Sequence, residues 1–219
     1  MSPGAADAGN VWDLPLRIFH WALAALVAFS LVSIQLGGFW KEWHMRSGYA
    51  ILTLLVFRLL WGFAGSRTAR FASFVRGPRT VAAYLRGGLG APPTGHNPLG
   101  GWSVLAMLGV LLLQASSGLF ANDASYTEGP LAHLVSTTTS DRLSTLHRYG
   151  EWVIITLVGL HLAAIGYYSA VRREPLVRAM LTGERPGSFA PVRDDLWLRL
   201  RALLLALLAA LLVGWIVFL

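Results

Sequence analysis

The sequence predicts an all-α integral membrane protein with five transmembrane helices. Three observations carry that reading. The chain of 219 residues is 55% hydrophobic and only 13% charged, and its mean hydropathy of +0.55 is far too apolar for a water-soluble domain of this size. Five stretches are each long and apolar enough to cross a hydrocarbon core, which takes about 20 helical residues. The arginines collect in alternate connections between these stretches and form no single basic face. Topology therefore explains the formal charge of +7 better than a nucleic-acid partner does.

The five spans are expected near residues 15–37, 44–64, 100–121, 146–169 and 197–219. Lipid offers the backbone no hydrogen bonds, so segments this long must be helical, and their Leu, Ala, Val and Ile content agrees. The N-terminal MSPGAADAGNVWD has neither a positive cluster ahead of an apolar core nor a small-residue cleavage site. It does not read as a removable signal peptide, and the first span is expected to stay as a membrane helix.

Orientation follows from the connections. Arg67, Arg70, Arg76, Arg79 and Arg86 lie between the second and third spans, and Arg172, Arg173, Arg178, Arg185 and Arg193 between the fourth and fifth. The first connection offers only Lys41 and Arg46, and the third sets Arg142 against Asp123, Glu128 and Asp141. The positive-inside rule then puts residues 1–13 in the cytoplasm as a tail and the C-terminus outside. Within the second connection, Arg70 to Gly87 mixes apolar and basic residues and reads either as an amphipathic interfacial stretch, interrupted at Gly77 and Pro78, or as an irregular basic loop. The run GGLGAPPTGHNPLGG that follows carries loop signals.

The absence of cysteine excludes disulfides, thiolate-bound metals, iron–sulfur clusters and covalently attached c-type haem. Histidine carries the remaining chemistry. His20, His44, His147 and His161 fall inside or at the ends of the spans, where ionisable residues are costly and functional by default. His147 and His161 are 14 residues apart, nearly four full turns, so they share one helix face about 21 Å apart along the axis. One sits toward the outside and one toward the cytoplasm. The first helix runs outward and places His20 near the depth of His161; the second starts outside and places His44 near the depth of His147. Two imidazole pairs at two depths suit two non-covalently held haems, since imidazole is a usual axial ligand of haem iron.

Neighbouring residues support or qualify this arrangement. Gly48 and Gly150, close to His44 and His147, either make room for a haem plane or ease helix packing. Arg58 shares the face of His44 one haem-depth deeper, and Arg17 precedes His20 by one turn. Each is a candidate partner for a propionate of the cytoplasmic-side haem, although Arg17 also reads as an inside-positive flank and Arg58 as a snorkelling residue. His96 and His133 lie outside the spans and read as solvated or capping residues. Glu151 reads either as a proton-exchanging group near a quinone or as a structural partner of Arg148 or another basic group.

Taken in order, WDLPLRIFHW, WHMRSGYA, FRLLWGFAGSRTARFASFVRGP, GHNPLGG, SGLFANDASYTEGPL, LHRYGEW and GLH resemble the bacterial cytochrome b561 and nickel–iron hydrogenase b-type cytochrome group over roughly residues 11–180. The resemblance implies a four-helix transmembrane haem-binding bundle over residues 14–180, in a bacterial inner membrane, holding two haem b through His20, His44, His147 and His161. It also implies exchange of electrons with a quinone and a periplasmic redox partner, such as a c-type cytochrome, a hydrogenase or another dehydrogenase. Residues 181–219 depart from it as a linker and a fifth C-terminal transmembrane helix, whose expected role is to pack beside the bundle, to bind a partner subunit, or both. A self-contained quinone or superoxide oxidoreductase and a non-redox transporter or sensor are the competing expectations.

Overall fold

The computed structural model describes residues 8–87, 95–124, 127–186 and 191–219. Residues 88–94 of the expected loop run and residues 1–7 of the expected tail lie outside the described residues. In chain order the helices are α1 (Leu14–Leu36), α2 (Trp40–Ala64), the short α3 (Phe71–Phe74) and α4 (Pro78–Leu85), α5 (Pro98–Gly118), α6 (Thr137–Ala170), the short α7 (Leu176–Thr182) and α8 (Leu196–Val217). Strands β1 (Ala8–Asn10) and β2 (Glu184–Pro186) pair antiparallel. Five of the helices, α1, α2, α5, α6 and α8, are long and apolar enough to cross a bilayer. The chain is a multi-pass helical membrane protein.

Local chemistry sets the helix ends. Side chains of Asp13, Asn97, Ser136 and Asp195 accept from the backbone N–H three residues on and cap α1, α5, α6 and α8. Pro15 and Pro98 sit in the first turn of α1 and α5, where the missing N–H costs nothing. Between α1 and α2 the chain reverses through Gly37 and Gly38, both in the left-handed region at φ 64° and 52°, where a side chain would be strained. Between α3 and α4 the helix breaks at Val75–Gly77, as Gly77 and Pro78 require.

Helix α6 begins at Thr137, well before the expected 146, and its 34 residues span about 51 Å, more than the roughly 30 Å hydrocarbon core. The extra turns are polar and are held by the α5–α6 connection. Asn122 donates from its backbone N to Ser144 Oγ at 2.8 Å and from Nδ2 to Ser140 Oγ at 2.5 Å, while Ser140 Oγ donates to the Phe120 carbonyl at 2.7 Å.

Helix α2 is the centre of the bundle, packing against α1, α5 and α8, whereas α6 packs along α5 and stands off from α1 and α2. The fifth membrane helix is therefore built into the bundle beside α2, with Ala202, Ala209 and Val213 buried in the contact. Its start is tied to the start of α1. Leu14 N donates to Asp194 Oδ2 at 2.9 Å, Val192 N to the Asn10 carbonyl at 2.7 Å, and Val11 N to the Gly183 carbonyl at 2.7 Å.

The same end contains Asp13, fully buried, whose carboxylate accepts from Leu16 N at 2.7 Å, from Trp61 Nε1 at 3.3 Å and from Ser66 Oγ. Burial pushes its carboxyl above the ordinary carboxylate value, opposed by these hydrogen bonds. Replacing Asp13 with alanine removes a helix cap and strands two buried donors. The expected cost is about 2–4 kcal/mol of stability, read as an earlier thermal transition of the purified protein; Asp13→Asn, which keeps an acceptor, is expected to lose less.

Candidate haem sites

The gap between α6 and the α1–α2 pair contains the four histidines singled out in the spans. The ring of His44, near the start of α2, lies 6.0 Å centroid to centroid from that of His147 on α6. The ring of His20, near the start of α1, lies 6.4 Å from that of His161, farther along α6. Two imidazoles sharing one metal ion through bonds of about 2 Å each, as at zinc, would have their ring centres roughly 6 Å apart. Both pairs match that spacing.

At the His44–His147 pair a cavity of about 350 Å³ opens between α1, α2, α5 and α6. Its walls are largely apolar, with Val27, Leu31, Ile51, Leu111 and Ile154 among them, and Lys41, Asp123, Arg148 and Glu151 stand among its polar residues. That is the lining a flat, mostly apolar ring system with a polar edge requires. Both histidines are held by their Nδ1 atoms. His44 Nδ1 lies 3.0 Å from the Ser30 carbonyl and 3.0 Å from its hydroxyl, and His147 Nδ1 lies 2.9 Å from the Gln114 carbonyl. An Nδ1–H donated to a backbone carbonyl fixes the tautomer that leaves the Nε2 lone pair available to a metal.

The glycines divide the work differently from the sequence expectation. A side chain at Gly48 would meet nothing within 4 Å, so this position opens directly onto the cavity. Gly150 instead admits the side chain of Gln114, whose Oε1 would lie 2.0 Å from an added Cβ. In this arrangement Gly150 faces the Gln114 amide. Gln114 in turn donates from Nε2 to the His147 carbonyl at 2.9 Å. Gly118, which sequence reasoning did not single out, clears the His147 ring, whose Cε1 would lie 2.8 Å from an added Cβ. Glu151 accepts from Gln35 Nε2 at 2.7 Å, so the structural partner it makes is an amide and not a basic group.

At the His20–His161 pair the signal is unsatisfied polarity. Among the described residues, four buried side-chain polar atoms have no hydrogen-bond partner: Arg17 Nε, His20 Nδ1, Arg58 Nη1 and His96 Nδ1. Such an atom costs about 1–3 kcal/mol when left unpaired, and all four gather at this end of the bundle. Arg58 is only 2% exposed. Its Nη2 donates to the Ala69 carbonyl at 3.1 Å, and its guanidinium lies over Phe71 at 4.9 Å and Phe74 at 6.0 Å. Gly62 makes that possible, since any side chain there would collide with the Phe71 ring. Arg17 donates from Nη1 to the Leu181 carbonyl and leaves its Nε unpartnered. The residues present therefore fit an anionic prosthetic group held between His20 and His161.

His96 departs from the expectation of a solvated or capping residue. The cap of α5 is the adjacent Asn97, and the His96 ring is wedged between Trp12 at 4.7 Å and Phe74 at 4.8 Å. Burial first, and then the neighbouring charge of Arg58, pushes its imidazole down to about 3, so it is neutral across the physiological range. His133 stands in a 3₁₀ turn (Ala132–Leu134) in the α5–α6 connection and is exposed, as expected.

A membrane-embedded helical bundle with paired imidazoles at metal-spanning separation is the architecture of a b-type membrane cytochrome. Residues 11–183 match the family model described as prokaryotic cytochrome b561, and the chain belongs to that family, which implies haem b as its prosthetic group. Similar proteins carry the name probable Ni/Fe-hydrogenase B-type cytochrome subunit. That of Rhizobium leguminosarum bv. viciae is 26% identical over 219 residues, covering 80% of this chain and 87% of the relative. Those of Rhodobacter capsulatus and Azotobacter vinelandii are each 26% identical, covering 80% and 84% of this chain and 80% and 89% of the relatives. No solved structure matches the chain.

Proposed function

We propose that this chain is a di-haem membrane cytochrome that carries electrons between a membrane quinone and a redox partner at the periplasmic face. The observation that carries the reading is the spacing of the two imidazole pairs, 6.4 Å for His20 and His161 and 6.0 Å for His44 and His147, separated along α6 by 14 residues or about 21 Å. Haem iron supplies a one-electron couple between its ferric and ferrous forms. The protein supplies ligands, orientation and a dry surround.

Each part of the site has a role in that scheme. The Ser30 and Gln114 carbonyls hold the outer imidazoles in one orientation, so no ligand has to reorganise as charge changes. The apolar walls of the outer cavity keep water away, which strengthens every fixed charge near the site. Arg58, a buried cation, would offset the carboxylate of a haem propionate at the His20–His161 site and, by its charge, would favour the reduced form. Arg17 offers a second donor there through Nε.

The arginine-rich connections support a cytoplasmic N-terminus and a periplasmic C-terminus, in the inner membrane of a bacterium. With that orientation the His44–His147 site faces the periplasm. The names of the relatives favour a nickel–iron hydrogenase as the partner there, with a c-type cytochrome or another dehydrogenase as the other candidates. Purified protein is expected to contain two haem b per chain by the pyridine haemochrome assay and to show a reduced b-type spectrum on addition of a short-chain quinol. A content of one haem in folded protein overturns the two-site reading, and failure of any quinol to reduce the haems overturns the quinone assignment.

A further inference from the structure

We propose that His96 is a third histidine of the inner haem site, binding not the iron but a haem propionate, to which its Nδ1–H donates a hydrogen bond alongside Nη1 of Arg58. The inference rests on the two-haem reading above and adds to it a recognition residue for the anionic edge of the cofactor. His96 Nδ1 and Arg58 Nη1 are both buried and unpartnered, and both side chains pack on the same ring, Phe74, at 4.8 Å and 6.0 Å. Two converging N–H donors, one of them cationic, define a site for a carboxylate, which can accept from both.

Among the described residues, no carboxylate pairs with these two donors. Asp13 is the acid whose charge reaches Arg58, but its oxygens are taken by Leu16 N, Trp61 Nε1 and Ser66 Oγ, and it forms no ion pair with Arg58 within 4.0 Å among the described residues. A buried guanidinium without a counter-ion is strongly disfavoured. The electrostatic neighbours of His96 are Arg58, His20 and His161, which puts the two donors beside the His20–His161 pair.

The aim of His96 is fixed from three directions. Trp12, just ahead of α1, and Phe74, at the end of α3, grip its ring. The backbone cannot swing freely, because Asn97 caps α5 through Gly100 N at 2.7 Å and Pro98 fixes the next φ. The ring can thus hold a propionate in one orientation, and with it the rotation of the haem about the axis between its two ligands.

The test compares His96→Leu, which removes the donor, with His96→Asn, whose Nδ2 lies close to the place of Nδ1. The first readout is the redox-induced infrared difference spectrum of the holoprotein carrying haem labelled with ¹³C at the propionate carboxyls; the second is the midpoint potential of each haem at fixed pH. His96→Leu is expected to shift the labelled carboxylate bands and lower the potential of the inner haem alone, and His96→Asn to restore both toward the parent. Loss of the inner haem in His96→Leu with retention and parent-like bands in His96→Asn supports the same assignment. Unchanged bands and potentials in His96→Leu overturn it, as does an Asn variant indistinguishable from the Leu variant. A parent protein with fewer than two haems refutes the underlying two-site reading before any His96 variant is made.

Discussion

Replacing His161 with alanine is expected to leave a protein with one haem per chain instead of two, and replacing His147 with alanine is expected to leave the other one. The two sites share α6 but little else. The inner pair draws its second imidazole from α1 and the outer pair from α2, and about 21 Å of helix separates the two positions. The outer imidazole His147 is anchored by the Gln114 carbonyl, an anchor that truncation of His161 does not touch. One wave should therefore vanish from the redox titration in each variant while the other stays near its parent potential, and the pyridine haemochrome ratio should halve. Ligation can be separated from folding with His161→Gly, because free imidazole diffusing into the vacated space is expected to restore the missing haem. Equal losses at both sites in both variants, or no loss in either, would falsify the pairing.

The juxtaposition of these rings was legible in the sequence for a physical reason. Lipid forces long apolar segments into helices, the arginines give their directions, and the 3.6-residue repeat then fixes which side chains share a face and a depth. The same reasoning stops where membrane chemistry stops. The first turns of α6, Thr137 to Thr145, are polar and carry no bilayer signal; their helicity comes from the Ser136 cap and from Asn122 across the connection. The acceptors for His44 and His147 are main-chain carbonyls of Ser30 and Gln114, and a carbonyl is carried by every residue, so no residue type announces it.

His96 shows the limit most sharply. In the sequence it stands in a turn-rich run and looks wet, but it is covered by Trp12 and Phe74, which tertiary packing delivers from other elements. Gly150 carried the opposite ambiguity. A glycine near a ligand fits either a cofactor or a neighbouring side chain, and no sequence signal shows that Gly150 faces Gln114. The fifth helix was legible as a span, but its place beside α2 was not, because that depends on the tie between Leu14 and Asp194 and on the small residues Ala202 and Ala209.

Gly48→Leu is expected to abolish the outer haem while leaving the fold intact, which makes it the most direct test of the cavity as a cofactor site. Gly48 lies one turn from His44 on α2, lines the cavity, and offers an added Cβ no neighbour within 4 Å. The added Cβ has open space, and the change removes a helix-interior glycine, which favours the helix by about 0.8–1 kcal/mol. The four side-chain carbons of the leucine would occupy part of the roughly 350 Å³ between the histidines and the apolar walls. Helical content by circular dichroism should be unchanged while the haem ratio falls from two to one, with the inner haem retained. Gly109→Leu is the control, since Gly109 on α5 also has open space around it but is exposed and does not line the cavity. That variant is expected to keep both haems. Gly118→Leu is less informative, because the new side chain would displace the His147 ring itself and cost the haem through its ligand. Two haems in Gly48→Leu would mean that the space beside His44 is not where the ring system lies.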